Sequence, residues 1–263
     1  MAFNPKIDLS ISLDWKTITI TDMSEGIEGY GSNQDPVNER RLNSSGQDVK
    51  SLRIILTSPS NVDYTIDLNA ASAYSAINNG YSITNVSLGY AADETFEEGI
   101  WKVQWIPFFS NSISISVTSG SPSVSYNPSN NYFFLNSSYL KTSVSTVPIY
   151  YTITSINLSS KSLNLSSSYA ASTNSSYTDY QVGYAAIEHI PVAKTIKDGL
   201  DEKVAALPNS NCPCKEKQVN NLMSYYLLYD AMFINASVNN SVKANYIFNI
   251  LKDYVTDSDC KCN

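Results

Sequence analysis

The segment Ile100-Trp101-Lys102-Val103-Gln104-Trp105-Ile106 decides the fold class of this chain of 263 residues. Its apolar and polar residues alternate, and this period of two is typical of a β-strand with one buried face. Trp101, Val103 and Trp105 fall on that face. Together with the short strands and turns around it, this aromatic face predicts a β-sandwich of immunoglobulin-like size.

Further strand patterns precede this segment. Residues 7–13 alternate in the same way, and residues 52–57 and 62–68 flank the turn Ser58-Pro59-Ser60-Asn61, which predicts a hairpin. Residues 23–50 are rich in Gly, Asn and charge and predict a long surface loop. Residues 1–108 are therefore predicted to form the β-sandwich, without the paired cysteines of antibody domains.

The composition changes after residue 108 toward Ser, Tyr, Asn and Thr, but strand patterns continue. Residues 109–191 are predicted to form a second β module or a β insertion into the first. The sequence Leu88-Gly-Tyr-Ala-Ala-Asp-Glu94 is echoed by Val182-Gly-Tyr-Ala-Ala-Ile-Glu188, which suggests equivalent turns in two β units.

Residues 192–263 predict a helical C-terminal unit. A one-sided apolar pattern over residues 192–207 is followed by amphipathic patterns over residues 218–235 and 245–255. The short polar connection between the last two predicts an antiparallel helical hairpin. The first helix of the hairpin is apolar nearly all round, so we expect it to dock on the β region or on a neighbouring subunit.

All four cysteines of the chain flank this hairpin, namely Cys212, Cys214, Cys260 and Cys262. An antiparallel hairpin brings them to the same open end, where three structural states are compatible with the sequence. Four thiolates could bind one zinc ion, although one intervening residue is a less common zinc spacing. Two disulfides would clamp the same end in an oxidising medium, and free thiols are the third state. This structural zinc is the one cofactor that the sequence suggests.

Bulk properties exclude several classes of function. The formal net charge is −7 and Lys and Arg form no stripe, so no nucleic-acid partner is expected. No apolar run approaches the roughly 18 residues of a membrane span. The N-terminus lacks a basic region followed by an apolar core, so we do not expect Sec export.

No catalytic constellation is predicted. The one histidine, His189, follows Glu188, but adjacent residues on a strand point apart. The sequence contains no Gly-x-Ser-x-Gly motif. The acidic residues Asp93, Glu94, Glu97 and Glu98 have the clustering of an ordinary solvated turn. We therefore expect a protein that is not an enzyme and that has no catalytic or cofactor-binding residues.

Two segments resemble the virion structural proteins of crAss-like and related phages that infect Bacteroidetes. The first is residues 7–22 with residues 52–59, which look like the opening sandwich of that group. The second is the hairpin bracketed by Cys212, Cys214, Cys260 and Cys262, which looks like its cysteine-bearing tail. The resemblance implies a tail, ring or adaptor subunit.

The expected function is that of a non-enzymatic phage structural protein, a tail or tail-ring component that assembles through β modules and a helical docking element. Its expected partners are further copies in a ring and other tail or portal-proximal proteins, in a virion assembled in the bacterial host cytoplasm. The alternative is a carbohydrate- or receptor-binding module of a tail fibre or adhesin, whose tyrosines would stack on sugars. A third hypothesis is a small hydrolase that uses the acidic cluster.

Overall fold

The computed structural model describes residues 5–24, 49–110, 114–126, 138–142, 148–207 and 213–256. The strands of the sandwich are β1 (Ile7–Ile11), β2 (Thr17–Asp22), β3 (Val49–Thr57), β4 (Asp63–Asn69), β5 (Tyr81–Thr84), β6 (Gly99–Ser110) and β14 (Ala186–Val192). Those between β6 and β14 are β7 (Ile115–Val117), β8 (Ser123–Tyr126), β9 (Tyr139–Thr142), β10 (Ile149–Asn157), β11 (Ser162–Leu165), β12 (Asn174–Tyr177) and β13 (Tyr180–Gly183).

Strand β6 pairs with three strands of the larger of two antiparallel sheets. One of its edges pairs with β3, which in turn pairs with β4. Its other edge is shared by two strands, with β14 opposite the first half and β13 opposite the second. The smaller sheet has the order β1-β2-β5. The two sheets together form the predicted β-sandwich.

The sandwich core comes from alternating positions, as the sequence predicts. Trp101, Val103 and Trp105 are fully buried, so the face predicted for β6 is confirmed. The Trp105 indole also donates a hydrogen bond to Asp22 Oδ2 of the smaller sheet, at 2.7 Å. Apolar side chains of β2 and β3 complete this core: Ile18, Ile20, Leu52, Ile54 and Leu56.

The strands β7 to β12 extend the larger sheet. From β13 the order continues β9-β10-β11-β8-β7-β12, so this segment is inserted between β6 and its partner strand β13. Strand β14, which lies inside the predicted 109–191 unit, belongs to the first sandwich by its pairing. The domain boundaries at residues 108 and 191 stay predictions.

The two copies of the Gly-Tyr-Ala-Ala sequence are not equivalent turns, which corrects that expectation. The first follows a short 3-10 helix, Val86–Leu88, in the connection between β5 and β6. The second runs through the end of β13 and the start of β14. The second copy is extended because it pairs along β6. The first copy pairs with no strand among the described residues, so the two conformations differ.

The larger sheet curls on its outer face. Arg53 of β3 and Tyr150 of β10 are four strands apart in the sheet order, which is about 19 Å in a flat sheet. The Arg53 guanidinium nevertheless lies 3.4 Å from the Tyr150 ring centroid. The Phe108 ring lies so close to the backbone of Gly183 that a Cβ on this glycine would be 2.5 Å from the ring. The inserted segment therefore folds back over the sandwich.

The helices are α1 (Ala70–Asn79), α2 (Lys194–Ala205), α3 (Pro213–Ser237) and α4 (Ser241–Thr256). Three residues, 238–240, connect α3 to α4 and make the predicted hairpin. Helix α1 was not predicted from the sequence; Asn69 caps it by accepting a hydrogen bond from the Ser72 N–H. The fold class, mainly β with a helical C-terminus, is confirmed.

Candidate functional site

Helices α3 and α4 form a tightly packed pair. The rings of Tyr225 and Tyr254 stack at a centroid distance of 3.5 Å and an interplanar angle of 10°. Leu222 and Met232 of α3 are buried, as are further apolar residues of α4: Ala244, Ile247, Phe248 and Leu251. This burial of facing apolar residues makes the hairpin one rigid element.

Helix α2 fixes the other side of the hairpin. A Cβ placed on Gly199 would lie 2.7 Å from the Cβ of Val255, so α2 and α4 approach closely at this glycine. The Tyr226 hydroxyl donates a hydrogen bond to Asp201 Oδ1 at 2.7 Å. Burial, together with this carboxylate, raises the pKa of Tyr226 to about 12. The three helices therefore form a single unit.

The helical unit docks on strand β14 of the sandwich. Phe233, Ile234 and Ser237 of α3 face Ile190 and Pro191 across a cleft of about 220 Å³. One part of the expectation for this apolar helix, docking on the β region, is thus found in the structure. Contact with a neighbouring subunit stays a prediction.

An exposed apolar stripe runs along α3 and continues to Val238, the first residue of the connection to α4. Met223, Leu227, Ile234 and Val238 are 61%, 68%, 62% and 66% exposed. Steps of four and seven residues place these side chains along one side of a helix. The stripe lies opposite the buried residues Leu222, Met232 and Ala236, and its member Ile234 also borders the cleft against β14, so α3 is apolar on both sides, as its sequence predicts. We call this set the α3 stripe.

The predicted cysteine site falls outside what the structure describes. Cys212, Cys260 and Cys262 lie in undescribed segments, and for Cys214 only its backbone, in the first turn of α3, is described. Zinc, disulfide and thiol states therefore stay predictions. Within the described residues no group of three or more His, Cys, Asp or Glu is arranged to hold a metal ion.

The acidic residues near β6 support turns separately. Glu94 Oε2 accepts a hydrogen bond from the Ala91 N–H at 2.8 Å, and Glu97 Oε2 accepts one from the Ser60 hydroxyl at 2.8 Å. Glu98 accepts a hydrogen bond from the Thr195 N–H at the start of α2. Three of the four carboxylates of this cluster thus point to different partners, and the arrangement does not favour paired acid and base roles.

Glu188 and His189 face different surroundings, as expected for neighbours on a strand. Burial raises the pKa of Glu188, and the charges of Lys6 and Asp8 act on it in opposite directions. Burial lowers the pKa of His189, which is hydrogen-bonded to the Asn239 side chain and lies near Lys102. The two side chains therefore do not form an acid–base pair.

Comparison with known proteins gives little beyond the fold. No model of a known protein family matches the chain, and no curated protein matches it. Among solved structures it is similar to a segment of two fibronectin type III domains from chicken tenascin, with 12% identity and a TM-score of 0.21. That match covers 72% of this chain and 99% of the tenascin segment. A likeness at this TM-score carries no argument about function.

None of the described helices is both long enough and apolar enough to cross a bilayer.

Proposed function

We propose that the protein is a non-enzymatic structural subunit of a phage virion, a tail or tail-ring component that assembles with further copies of itself and with other tail or portal-proximal proteins. Assembly would take place in the bacterial host cytoplasm. The observation that supports this proposal is the α3 stripe, presented on a helix that α2, α4 and β14 hold in place. A large apolar surface on a rigid element is typical of a protein–protein contact.

The size of the stripe indicates how much binding energy it supplies. Fully burying one such side chain contributes about 1.5–3 kcal/mol, so four side chains that are roughly two-thirds exposed supply about 4–8 kcal/mol. Association costs a similar amount in lost translational and rotational freedom. The stripe is therefore sufficient for assembly only when several contacts act together, as they do around a closed ring.

The tyrosine-rich segment gives the carbohydrate-binding alternative no comparable support. Among its described residues, the tyrosines are mostly core residues: Tyr126, Tyr151, Tyr169, Tyr177 and Tyr180 are buried. One face of the Tyr150 ring is covered by Arg53. Stacking on a sugar requires an open ring face, so these described rings are better explained as packing.

The test is to make the α3 stripe polar without weakening the helix. Glutamine is nearly as good a helix former as Met or Leu, so we choose the double variant Met223→Gln with Leu227→Gln. Sedimentation velocity of the full chain over a range of concentrations should show oligomers for the natural sequence and mainly monomers for the variant. The unfolding midpoint should stay unchanged because both side chains are exposed.

The matched control is Leu158→Gln, since Leu158 is 61% exposed but lies outside the helical unit. This control should assemble like the natural sequence. A natural chain that stays monomeric at every concentration, or a stripe variant that assembles normally, would contradict the proposal.

A further inference from the structure

A second cleft lies between the sandwich and the first turn of α4. Its volume is about 240 Å³. The turn after β3, the strands β6 and β14 and the start of α4 each contribute to its wall: Thr57, Ser58, Pro59, Asn61, Ile100, Lys102, His189, Ser241 and Asn245. The wall of this cleft combines segments that are far apart in the sequence.

The lining is rich in hydrogen-bond donors and contains no carboxylate. Lys102 is half-buried and forms no salt bridge with any residue that the structure describes. The side chains of Asn61, Ser241 and Asn245 likewise have no hydrogen-bond partner in the described part of the chain. A half-buried ammonium group surrounded by unused neutral donors is an arrangement that an anion would complete.

One nearby feature adds a polar ring and another adds positive potential. His189 is directly opposite Lys102 in the pairing of β14 with β6, so its ring borders the same space, without adding charge near pH 7 because its pKa is lowered. The first residue of α4, Ser241, also lines the cleft, and Asn240 caps this helix by accepting a hydrogen bond from the Lys243 N–H at 3.2 Å. The N-terminus of a helix of 16 residues carries a partial positive charge that favours anions.

We propose that this cleft binds a small phosphate-class oxyanion. Lys102 supplies the charge, and Asn61, Ser241 and Asn245 donate hydrogen bonds from two other sides. Donors that converge from three separate segments suit the tetrahedral oxygens of a phosphate better than the planar pair of a carboxylate. Binding would tie the sandwich to the helical hairpin, and it requires no assembly of the protein.

The single histidine makes the test direct, because one set of imidazole resonances reports on the cleft. Inorganic phosphate is titrated into the full chain, and the His189 ring signals are followed by NMR at constant pH. We expect a saturable shift with phosphate and a much weaker one with acetate. Sodium chloride at matched ionic strength serves as the screening reference and should give no saturable shift.

Lys102→Gln is the decisive variant. Losing one charged hydrogen bond should weaken phosphate binding about tenfold or more. Lys243→Gln is the matched control, since Lys243 is exposed on the same helical turn and does not line the cleft. Asn245→Ala, at an exposed helical position, provides a second variant if Lys102→Gln does not fold, and it should weaken binding several-fold.

Each outcome decides the proposal. Selective weakening by Lys102→Gln or Asn245→Ala, with Lys243→Gln unchanged, supports the cleft. Equal weakening by the two lysine variants, or a phosphate shift no larger than that of chloride, overturns it. Because the readout needs only the folded chain, a failure here is independent of the assembly test on the α3 stripe.

Discussion

Replacing Gly199 by alanine puts two effects of opposite sign into competition. Gly199 lies in the interior of α2, where alanine is intrinsically more favourable than glycine by about 1 kcal/mol. A solvated helix would therefore become more stable. In this protein the new Cβ would lie 2.7 Å from Val255 Cβ, with Cγ1 and Cγ2 at 3.1 and 3.4 Å.

The contact with Val255 should outweigh the gain in helix propensity. All three of these atoms belong to one β-branched side chain, which has little rotamer freedom in a helix, so α2 and α4 must move apart. Overpacking of this kind costs typically about 1–3 kcal/mol. The balance is a loss of up to about 2 kcal/mol in the free energy of unfolding of the full chain.

The measurement is urea unfolding of the natural chain, Gly199→Ala, Val255→Ala and the double variant. Because Val255→Ala removes the atoms that clash, adding Gly199→Ala to it should be neutral or stabilising. The coupling free energy from this cycle should be about 1–3 kcal/mol. A Gly199→Ala protein that is more stable than the natural chain would refute the close approach of α2 and α4.

Two other predictions concern the junctions of the sandwich. The pKa of His189 is lowered from 6.5 by burial, so the unfolded chain binds the proton more tightly, and stability should fall as the pH drops below about 6.5. One titrating group cannot change the free energy of unfolding by more than about 1.4 kcal/mol per pH unit. His189→Gln should remove this contribution to the pH dependence, as measured by urea unfolding at several pH values. Arg53→Lys should lose about 1–2 kcal/mol, since lysine cannot make both 2.8 and 2.7 Å bonds to Asp67 while stacking on Tyr150. An unchanged unfolding midpoint would contradict this role for Arg53.

Local patterns were sufficient for the parts of the fold in which a single segment determines its own burial. The alternation in β6 identified its buried face because Trp101 and Trp105 have one apolar side to cover. The spacing of residues 218–235 and 245–255 likewise predicted the hairpin, whose helices extend a few residues further at both ends. Helix α1 was missed although Ala73, Ala76 and Ile77 have helical spacing and Asn69 before Ala70 is a capping signal; its ten residues are mostly small, so the pattern is short and easily overlooked.

Features built from distant segments could not be predicted in the same way. The stacking of Arg53 on Tyr150 depends on the curl of the sheet, which no single strand specifies. The cleft around Lys102 needs the docking of α4 against β6. One local signal was available, since the alternation that buries Trp101 and Val103 turns Lys102 toward the opposite face of β6. Covering that face by the helical hairpin is a tertiary event that the sequence pattern does not contain.

The pairing of Ser110 with Gln181 has a consequence for how the chain can vary. The two ends of the inserted segment leave and re-enter the sandwich at neighbouring positions. The sandwich itself therefore holds these two ends together. An inserted segment anchored in this way can change in length and composition while both attachment points stay fixed, because loop-closure entropy rises only slowly with length. Variation between related chains should therefore concentrate between these two residues, where it leaves the sandwich and the helical unit unchanged.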